Sequence, residues 1–194
     1  MSEVAPRLIL ASASPRRREL LAQLGVSFDV VTASVDEHED VATDPRTMVA
    51  QNAALKADWV SAREPEAFVL GADTTVSIDD LALNKPRDRA EAKTMLFRLG
   101  GRTHRVYTGL ALRRGRDRMH IDETVVSEVT FKPLDEATVT EYLSRVNTLD
   151  KAGGYAIQEH GDLIVAGYTG SFSNIVGLPL ETTKQILTRC GLLD

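Results

Sequence analysis

The segment from Leu8 to Gly25 constrains the fold most, because it changes within a few residues from one regular structure to another. Its apolar run Leu8–Leu10 is typical of a buried strand. Ser14 is placed to cap a helix and Pro15 to occupy its first position, where a missing N–H costs nothing. Leucines then recur on one helical face before Gly25 ends the helix. The segment therefore predicts a strand–turn–helix unit of an α/β protein.

The rest of the chain adds further strands and helices in alternation. Apolar and alternating runs predict strands over residues 28–32, 68–72, 106–112, 121–131 and 163–168. Capping residues, prolines and helical spacing predict helices over residues 45–63, 88–99, 135–146 and 179–190. The turn at Arg114-Gly115 indicates a hairpin and hence antiparallel pairing. We expect one α/β domain over residues 1–194: a mixed, mostly elongated sheet flanked by helices, with two lobes pinched near Gly101 and Gly153 around a cleft.

Composition places the chain among ordinary globular proteins. It has 194 residues, of which 43% are apolar and 26% charged. No apolar run approaches the roughly 20 residues that a membrane span requires. Residues 1–6 lack the features of a signal peptide, and the lone Cys190 excludes an internal disulfide and a cysteine zinc cluster. We expect a cytoplasmic protein with no membrane partner.

The charge balance argues against a nucleic-acid partner. The net charge is −5, from 23 basic and 28 acidic side chains, whereas duplex-binding proteins are normally basic. Aromatic residues make up only 5% of the chain, which gives poor support to a single-strand stacking platform. A basic pocket for a small anion stays compatible with this balance, since binding depends on where charge is placed.

Residues Ser12 to Arg18 follow the first strand and open the first helix, where free N–H groups and the positive end of the helix dipole favour an anion. Hydroxyls and guanidinium groups add donors suited to phosphate oxygens. Three arginines in a first turn oppose the dipole, which a bound anion would offset. The alternative is that Ser14 only caps the helix and the arginines are solvated. We favour an anion site contacted by Arg16, with Arg18 on the surface.

Carboxylates follow two of the predicted strands. Asp73 comes after the buried strand over residues 68–72, and ligands of α/β sheets gather outside the carboxyl ends of strands. There it could bind Mg²⁺ or orient a water as a general base, although a turn or capping aspartate fits the pattern equally well. Asp36 and Glu37 follow the second strand in a comparable place. Two carboxylates from neighbouring strands could hold a metal ion, while the rest of that acidic run is typical of a solvated loop.

Three lysines and one amide are further candidates. Lys85 precedes a proline that stiffens its backbone, and Lys151 leads into glycines that permit close approach to a ligand. Lys56 falls on a helix whose other face is apolar, and Gln158 could hydrogen-bond a base edge. Taken singly, each lysine is better explained as a surface residue than as a ligand contact. The four histidines show no i, i+4 ligand spacing, and the chain contains neither a Walker-type loop nor Gly-x-Gly-x-x-Gly.

Six short blocks run along almost the whole chain. They are Ser12-Ala-Ser-Pro-Arg-Arg with Glu19-Leu-Leu, Asp36-Glu37, Gly71-Ala-Asp-Thr, Lys85-Pro-Arg-Asp, Asp150-Lys-Ala-Gly-Gly-Tyr-Ala-Ile-Gln158, and Asn174-Ile-Val-Gly-Leu-Pro179. In this order they resemble the Maf nucleoside triphosphate pyrophosphatases. One departure is Leu55, where the family often has glutamate before the lysine.

The resemblance implies a fold like that of inosine triphosphate pyrophosphatases, with a nucleotide cleft between lobes. It also implies hydrolysis of a nucleoside triphosphate to the monophosphate and pyrophosphate, assisted by Mg²⁺ or Mn²⁺. Asp73 matches the water-activating acid and Glu37 an acid near the metal, so both are expected metal ligands. The residues that match the lining of the triphosphate site are Ser12, Arg16, Lys56, Lys85 and Lys151.

Three positions divide the family into branches. The branch that acts on dTTP and UTP is similar to this chain in having Arg16, Thr74 and Gln158 there, whereas the 7-methyl-GTP branch carries tryptophan, glutamine and glutamate. The resemblance thus implies a dTTP/UTP pyrophosphatase, acting also on modified pyrimidine nucleotides. The alternatives are a 7-methyl-GTP pyrophosphatase and a nucleotide-responsive regulator of cell division. A homodimer is compatible with the sequence.

Overall fold

A mixed sheet forms the centre of the molecule. The structure is a computed structural model that describes residues 6–193; residues 1–5, in which the sequence predicts no signal peptide, and Asp194 lie outside the described part. The strands of that part are β1 (Leu8–Ala11), β2 (Phe28–Val30), β3 (Phe68–Ile78), β4 (Leu81–Leu83), β5 (Thr103–Arg114), β6 (Met119–Phe131) and β7 (Val165–Thr169). The helices are α1 (Pro15–Ala22), α2 (Pro45–Ser61), α3 (Arg89–Leu99), α4 (Glu136–Arg145), α5 (Gly161–Ile164), α6 (Phe172–Val176) and α7 (Leu180–Arg189), with 3-10 turns at Gly115–Asp117 and Ala152–Gly154.

The strands follow the order β2-β1-β3-β5-β6-β7, and β4 pairs with β3 beside this path. Strands β2, β1 and β3 run parallel, as expected for strands joined by helices. The pairs β3–β4, β3–β5, β5–β6 and β6–β7 are antiparallel. The predicted hairpin around Gly115 and the predicted mixed sheet flanked by helices are both confirmed.

Strand β3 is longer than the sequence analysis predicts. It does not stop at Ala72 but continues to Ile78, so Asp73 and Thr74 lie within the strand and not after its end. The extension is rich in β-branched residues, which suit a strand, and it pairs with β5 from Val69 to Ser77. The parallel pairing with β1 does end at Gly71, and Asp73 therefore still lies just beyond the carboxyl end of β1.

Helix α2 lies unusually close to the sheet. A Cβ added to Gly71 would stand 2.3 Å from the carbonyl oxygen of Ala53, and one added to Gly109 would stand 2.4 Å from that of Val49. This close packing turns small side chains inward. The apolar pattern of this helix predicts that Met48, Leu55 and Trp59 point inward, which is confirmed for Met48, whereas Leu55 and Trp59 are less buried than predicted. Both are only partly buried, and Met48, Val49, Asn52, Ala53, Lys56, Ala57 and Val60 form the buried face instead.

The hydrophobic core lies in two parts along the long strands. One part comprises two clusters on opposite faces of β1 and the first half of β3, one packed by helices α1 and α7 and the other by α2. The second half of β3, with α3 and α4, encloses the other. Three further elements differ from the sequence predictions. The strand predicted over residues 163–168 begins as helix α5, and neither β4 nor α6 is predicted.

Among the residues that the structure describes, no helix combines the length and the apolar character needed to cross a membrane.

Candidate active site

A cavity of about 410 Å³ opens between the two parts of the core. Its lining comes from the β1–α1 turn, the loop after β2, helix α2, the middle of β3 and the segment 150–158. Asp36, which stands beside Glu37 in the sequence, does not line the cavity. The other residues that the sequence analysis singles out for a site role do: Ser12, Arg16, Glu37, Lys56, Asp73, Thr74, Lys85, Lys151 and Gln158. The fold thus brings these residues to one place, while their individual roles stay predictions.

Lys56 joins the two predicted carboxylates at the floor of the cavity. Its Nζ donates to Asp73 Oδ1 at 2.8 Å and to Glu37 Oε2 at 2.7 Å. Lys56 and Asp73 are 8% and 9% exposed, so their charges interact in a poorly solvated environment where pairing matters most. The lysine is therefore no surface residue. It keeps two carboxylates together that would otherwise repel each other.

Asn52 completes this floor and was missed by the sequence analysis. Its Nδ2 donates to Asp73 Oδ2 at 3.1 Å and to the His38 carbonyl oxygen at 3.0 Å, and its Oδ1 accepts from the His38 N–H at 2.7 Å. The signal in the sequence was its spacing. Asn52 and Lys56 are four residues apart on one helix, hence on one face, which is otherwise apolar.

Arg17 is the second residue that the sequence analysis missed. It contacts three chain segments: Nε donates to the Gly177 carbonyl oxygen at 2.8 Å, Nη2 to Thr74 Oγ1 at 3.0 Å and Nη1 to Ser12 Oγ at 3.4 Å. Burial lowers the pKa of its guanidinium, and the charges of Asp73 and Glu37 oppose that shift. Arg17 therefore ties the β1–α1 turn to β3, while Arg18 is exposed as predicted.

The Thr74 hydroxyl stands in a chain of polar groups. It lies 2.9 Å from Thr108 Oγ1, which in turn contacts the Asn174 carbonyl oxygen at 3.1 Å. With Arg17 on its other side and the Gly177 carbonyl oxygen at 3.4 Å, Thr74 is held from α1, from β5 and from the residue after α6. Its hydroxyl is thus fixed at the cavity wall and does not rotate freely.

Arg16 points to the opposite side of the cleft. Its Nη1 donates to Asp150 Oδ2 at 2.9 Å, and Lys151 Nζ donates to Asp150 Oδ1 at 2.9 Å. Partial burial acts in the other direction, but the hydrogen bonds from Lys151 and Arg16 hold the pKa of the Asp150 carboxyl below its usual value. Lys151 is only 6% exposed and also donates to the Asn147 carbonyl oxygen. Asp150 therefore orders two cations at the cleft.

Lys85 and Gln158 lie at the outer edge of the cavity. Both are exposed, and the Gln158 amide has a single long contact, 3.4 Å to Glu159 Oε1. Gln158 lies in a turn between a 3-10 segment and α5. Both side chains are accessible to a ligand that enters the cavity.

The donor set at the floor fits a divalent cation that a ligand helps to hold. Glu37 and Asp73 place carboxylate oxygens on both sides of the Lys56 ammonium, a cation already at that position. Within residues 6–193, no group of three or more His, Cys, Asp or Glu side chains could hold a metal ion. Mg²⁺ is commonly bound by one or two carboxylates together with substrate phosphates, and two carboxylates meet that need.

An α/β fold with a cation-lined cavity and two carboxylates at its floor defines a protein that can bind a small polyanion and act on it with acid–base chemistry. The model of the Maf-like protein family matches residues 7–190, and the chain belongs to this family.

Named relatives are similar over nearly their whole length. A dTTP/UTP pyrophosphatase of Myxococcus xanthus is 50% identical, across 95% of this chain and 93% of that protein. A dTTP/UTP pyrophosphatase of Symbiobacterium thermophilum is 48% identical, across 95% and 94%. One of Akkermansia muciniphila is 40% identical, across 96% and 97%.

Proposed function

We propose that this chain hydrolyses dTTP and UTP to the nucleoside monophosphate and pyrophosphate. The observation that carries the proposal is the Lys56–Asp73–Glu37 cluster at the floor of a cavity lined by further cations. The names of the relatives give the nucleotides. Modified pyrimidine triphosphates that keep the same hydrogen-bonding groups belong to the same proposal.

Asp73 is the proposed general base. A water oxygen forms a bond to the α-phosphorus, its proton passes to the Asp73 carboxylate, and the bond from the α-phosphorus to the bridging oxygen breaks so that pyrophosphate leaves. Both oxygens of Asp73 are held in place, by Lys56 and Asn52. Each oxygen keeps a second lone pair for the proton.

The basic residues offset the charge of the triphosphate. Arg16 and Lys151 approach from the side of Asp150, Lys85 from the outer edge, and Ser12 lies at the start of α1 where helix N–H groups favour phosphate. Fixed positive groups aimed at developing charge usually provide the largest part of catalysis. We place the α-phosphate toward Asp73 and the pyrophosphate toward these cations.

Glu37 and Asp73 would hold the divalent cation, Mg²⁺ or Mn²⁺, which when bound neutralises phosphate charge and orients the triphosphate. Removal of divalent cations with a chelator should abolish pyrophosphate release, and added Mg²⁺ or Mn²⁺ should restore it. Unchanged rates in chelator would contradict this part of the proposal.

Arg16, Thr74 and Gln158 are the proposed specificity residues. Thr74 is held by hydrogen bonds and Gln158 is exposed, so the first sets the shape of the pocket and the second can form hydrogen bonds to a base edge after binding.

The test is a triphosphate panel assayed for pyrophosphate with the purified protein and Mg²⁺ or Mn²⁺. We expect turnover of dTTP and UTP, and no turnover of any pyrimidine triphosphate would contradict the proposal. Turnover of 7-methyl-GTP alone would identify the other branch. Nucleotide binding without turnover would favour a regulator.

Asp73→Asn tests the general base. Positioned acid–base groups contribute typically about 10²–10⁴-fold, so kcat should fall by about that factor while dTTP binding persists. The matched control is Asp80→Asn, at an exposed left-handed position of the β3–β4 turn that asparagine tolerates. Equal activity of the two variants would remove Asp73 from the reaction.

A further inference from the structure

Asn52 is a buried polar side chain on a face of α2 that packs against the sheet. It is 2% exposed, and Val49 and Ala53 beside it are fully buried. A polar group is costly to bury unless it finds partners. Its position therefore needs an explanation that general packing does not give.

The three contacts of the amide fix its orientation. The oxygen faces the N–H of His38, whereas the nitrogen faces two oxygens, the His38 carbonyl and Asp73 Oδ2. Turning the amide over would place oxygen against two oxygens and nitrogen against an N–H. All of its hydrogen-bonding groups are satisfied in one arrangement only.

The amide connects two segments that are distant in sequence. His38 directly follows Glu37 in the loop after β2, and Asp73 lies in the middle of β3. Asn52 holds the loop backbone and Asp73 Oδ2, while Lys56, one turn later, holds Glu37 and Asp73 Oδ1. Each oxygen of Asp73 is thus fixed by a different side chain of the same helix face.

Holding the loop alone would not require the contact with Asp73. The loop has a second anchor, since Asn84 donates to the Glu39 carbonyl oxygen at 2.8 Å. A residue that served only the loop would also have no need to spend a donor on a carboxylate.

We infer that Asn52 is a positioning residue: its amide holds the Glu37–His38 backbone and the Asp73 carboxylate in the relative arrangement that the reaction requires. This inference rests on the proposed hydrolysis of dTTP and UTP. The amide of Asn52 contacts the carboxylate of Asp73 and affects the reaction through it. It acts through Asp73 and through the loop that carries Glu37.

The experiment compares Asn52→Leu with Gln51→Leu, its exposed neighbour on the same helix. Misplacement by about 1 Å can cost about 10²-fold in rate, so in Asn52→Leu kcat for dTTP should fall by about 10- to 100-fold. KM should change by less than about threefold, because Asn52 contacts none of the cations proposed to bind the pyrophosphate. Gln51→Leu should keep both constants.

Hydrogen exchange of the His38 amide gives a readout that does not depend on turnover. This N–H donates to Asn52, and it should exchange faster in Asn52→Leu and at the original rate in Gln51→Leu. Asn52→Asp separates the contact with the His38 N–H from the contact with Asp73. It keeps an acceptor for the His38 N–H but loses the donors, so we expect exchange close to the original and kcat as low as in Asn52→Leu.

Thermal unfolding checks that each variant is folded at the assay temperature, and Asn52→Ser replaces Asn52→Leu if that variant is not. A folded variant with kcat within twofold of the parent would overturn the inference. So would a loss that lies entirely in KM, or a recovery of kcat in Asn52→Asp. If the parent protein itself releases no pyrophosphate from dTTP or UTP, the proposed function fails and the inference fails with it, which is a different result from an active parent with unaffected variants.

Discussion

The polar side chains at the floor of the cleft are buried and hydrogen-bonded to one another, whereas those at its edge are more exposed. In the floor cluster (Asn52, Lys56 and Asp73), each residue is less than 10% exposed and contacts another member or Glu37. In the rim group (Arg16, Lys85, Asp150 and Gln158), the side chains of Arg16 and Asp150 are 26% and 49% exposed. The floor is therefore arranged before a ligand arrives, whereas the rim can adapt to it. Reaction geometry needs the first property, and recognition of a flexible triphosphate benefits from the second.

Lys56→Met should cause the largest loss of stability, because it removes the cation at the centre of the floor cluster. It leaves the Asp73 carboxylate buried without its cation, and the loss of one partner of a buried pair costs about 3–5 kcal/mol. We expect the free energy of unfolding in urea to fall by about that amount. Lys93→Met is the control, because it removes only an exposed pair with Glu136 worth at most about 1 kcal/mol. Equal losses in both variants would show that burial does not distinguish the floor.

Low pH should destabilise the fold through His104, which is buried against Tyr155. His104 Nε2 contacts the Tyr155 hydroxyl at 2.7 Å, beside the ring of Phe131, and burial lowers the pKa of His104 to about 4. As the pH falls, His104 is protonated in the unfolded chain before it is protonated in the folded protein. The free energy of unfolding therefore decreases between about pH 6.5 and about pH 4. Over this range the loss from His104 amounts to about 3 kcal/mol.

Urea unfolding of the parent and of His104→Gln at several pH values measures this loss. The stability advantage of the parent should shrink as the pH falls, since the variant lacks the group that titrates. A constant difference between His104→Gln and the parent across this pH range would contradict the assignment.

Gly71→Ala should disturb the floor from beneath. The new Cβ would meet the backbone of α2 at 2.3 Å, and overpacking of this kind costs about 1–3 kcal/mol. Because α2 carries Asn52 and Lys56, kcat should fall as well. Gly167→Ala in β7 is the control, as a Cβ there meets nothing within 4 Å. Unfolding and dTTP turnover measure both effects, and an active, stable Gly71→Ala protein would show that the close approach is dispensable.

Asp150→Asn should have the smallest effect on stability. The ion pair with Arg16 is partly solvated, so its loss should change the free energy of unfolding by at most about 1 kcal/mol. The effect should appear instead in KM for dTTP and in its salt dependence, because Arg16 and Lys151 lose the carboxylate that orders them. A fall in kcat with unchanged KM would place Asp150 with the floor and not with the rim.

The same contrast explains how much could be predicted from sequence. The strand–turn–helix unit and the hairpin are determined by local pattern, and both form as predicted. The predicted end of β3 at Ala72 was wrong because pairing with β5 extends the strand past Asp73. Burial of Lys56 depends on Gly71 and Gly109, which are far from it in sequence and admit the helix to the sheet.

The sequence indicated which residues belong to the site more readily than which residues they contact. Short motifs identified Lys56, Asp73 and Glu37 as separate candidates, but no local pattern shows that the lysine forms ion pairs with both carboxylates. Arg17 was passed over in favour of Arg16 because neighbours in a helix turn look alike in sequence. Their directions differ by about 100° around the axis, which is what sends one to Thr74 and the other to Asp150.

The continuity of β3 limits how this cleft can close. The strand pairs with β1 in its first part and with β4 in its second, while β5 stays paired along most of its length. A hinge between the two parts of the core would have to bend both strands and break their ladder. Strands β3 and β5 therefore form one frame that keeps Asp73 in place while the exposed side chains at the edge of the cleft adjust to a nucleotide.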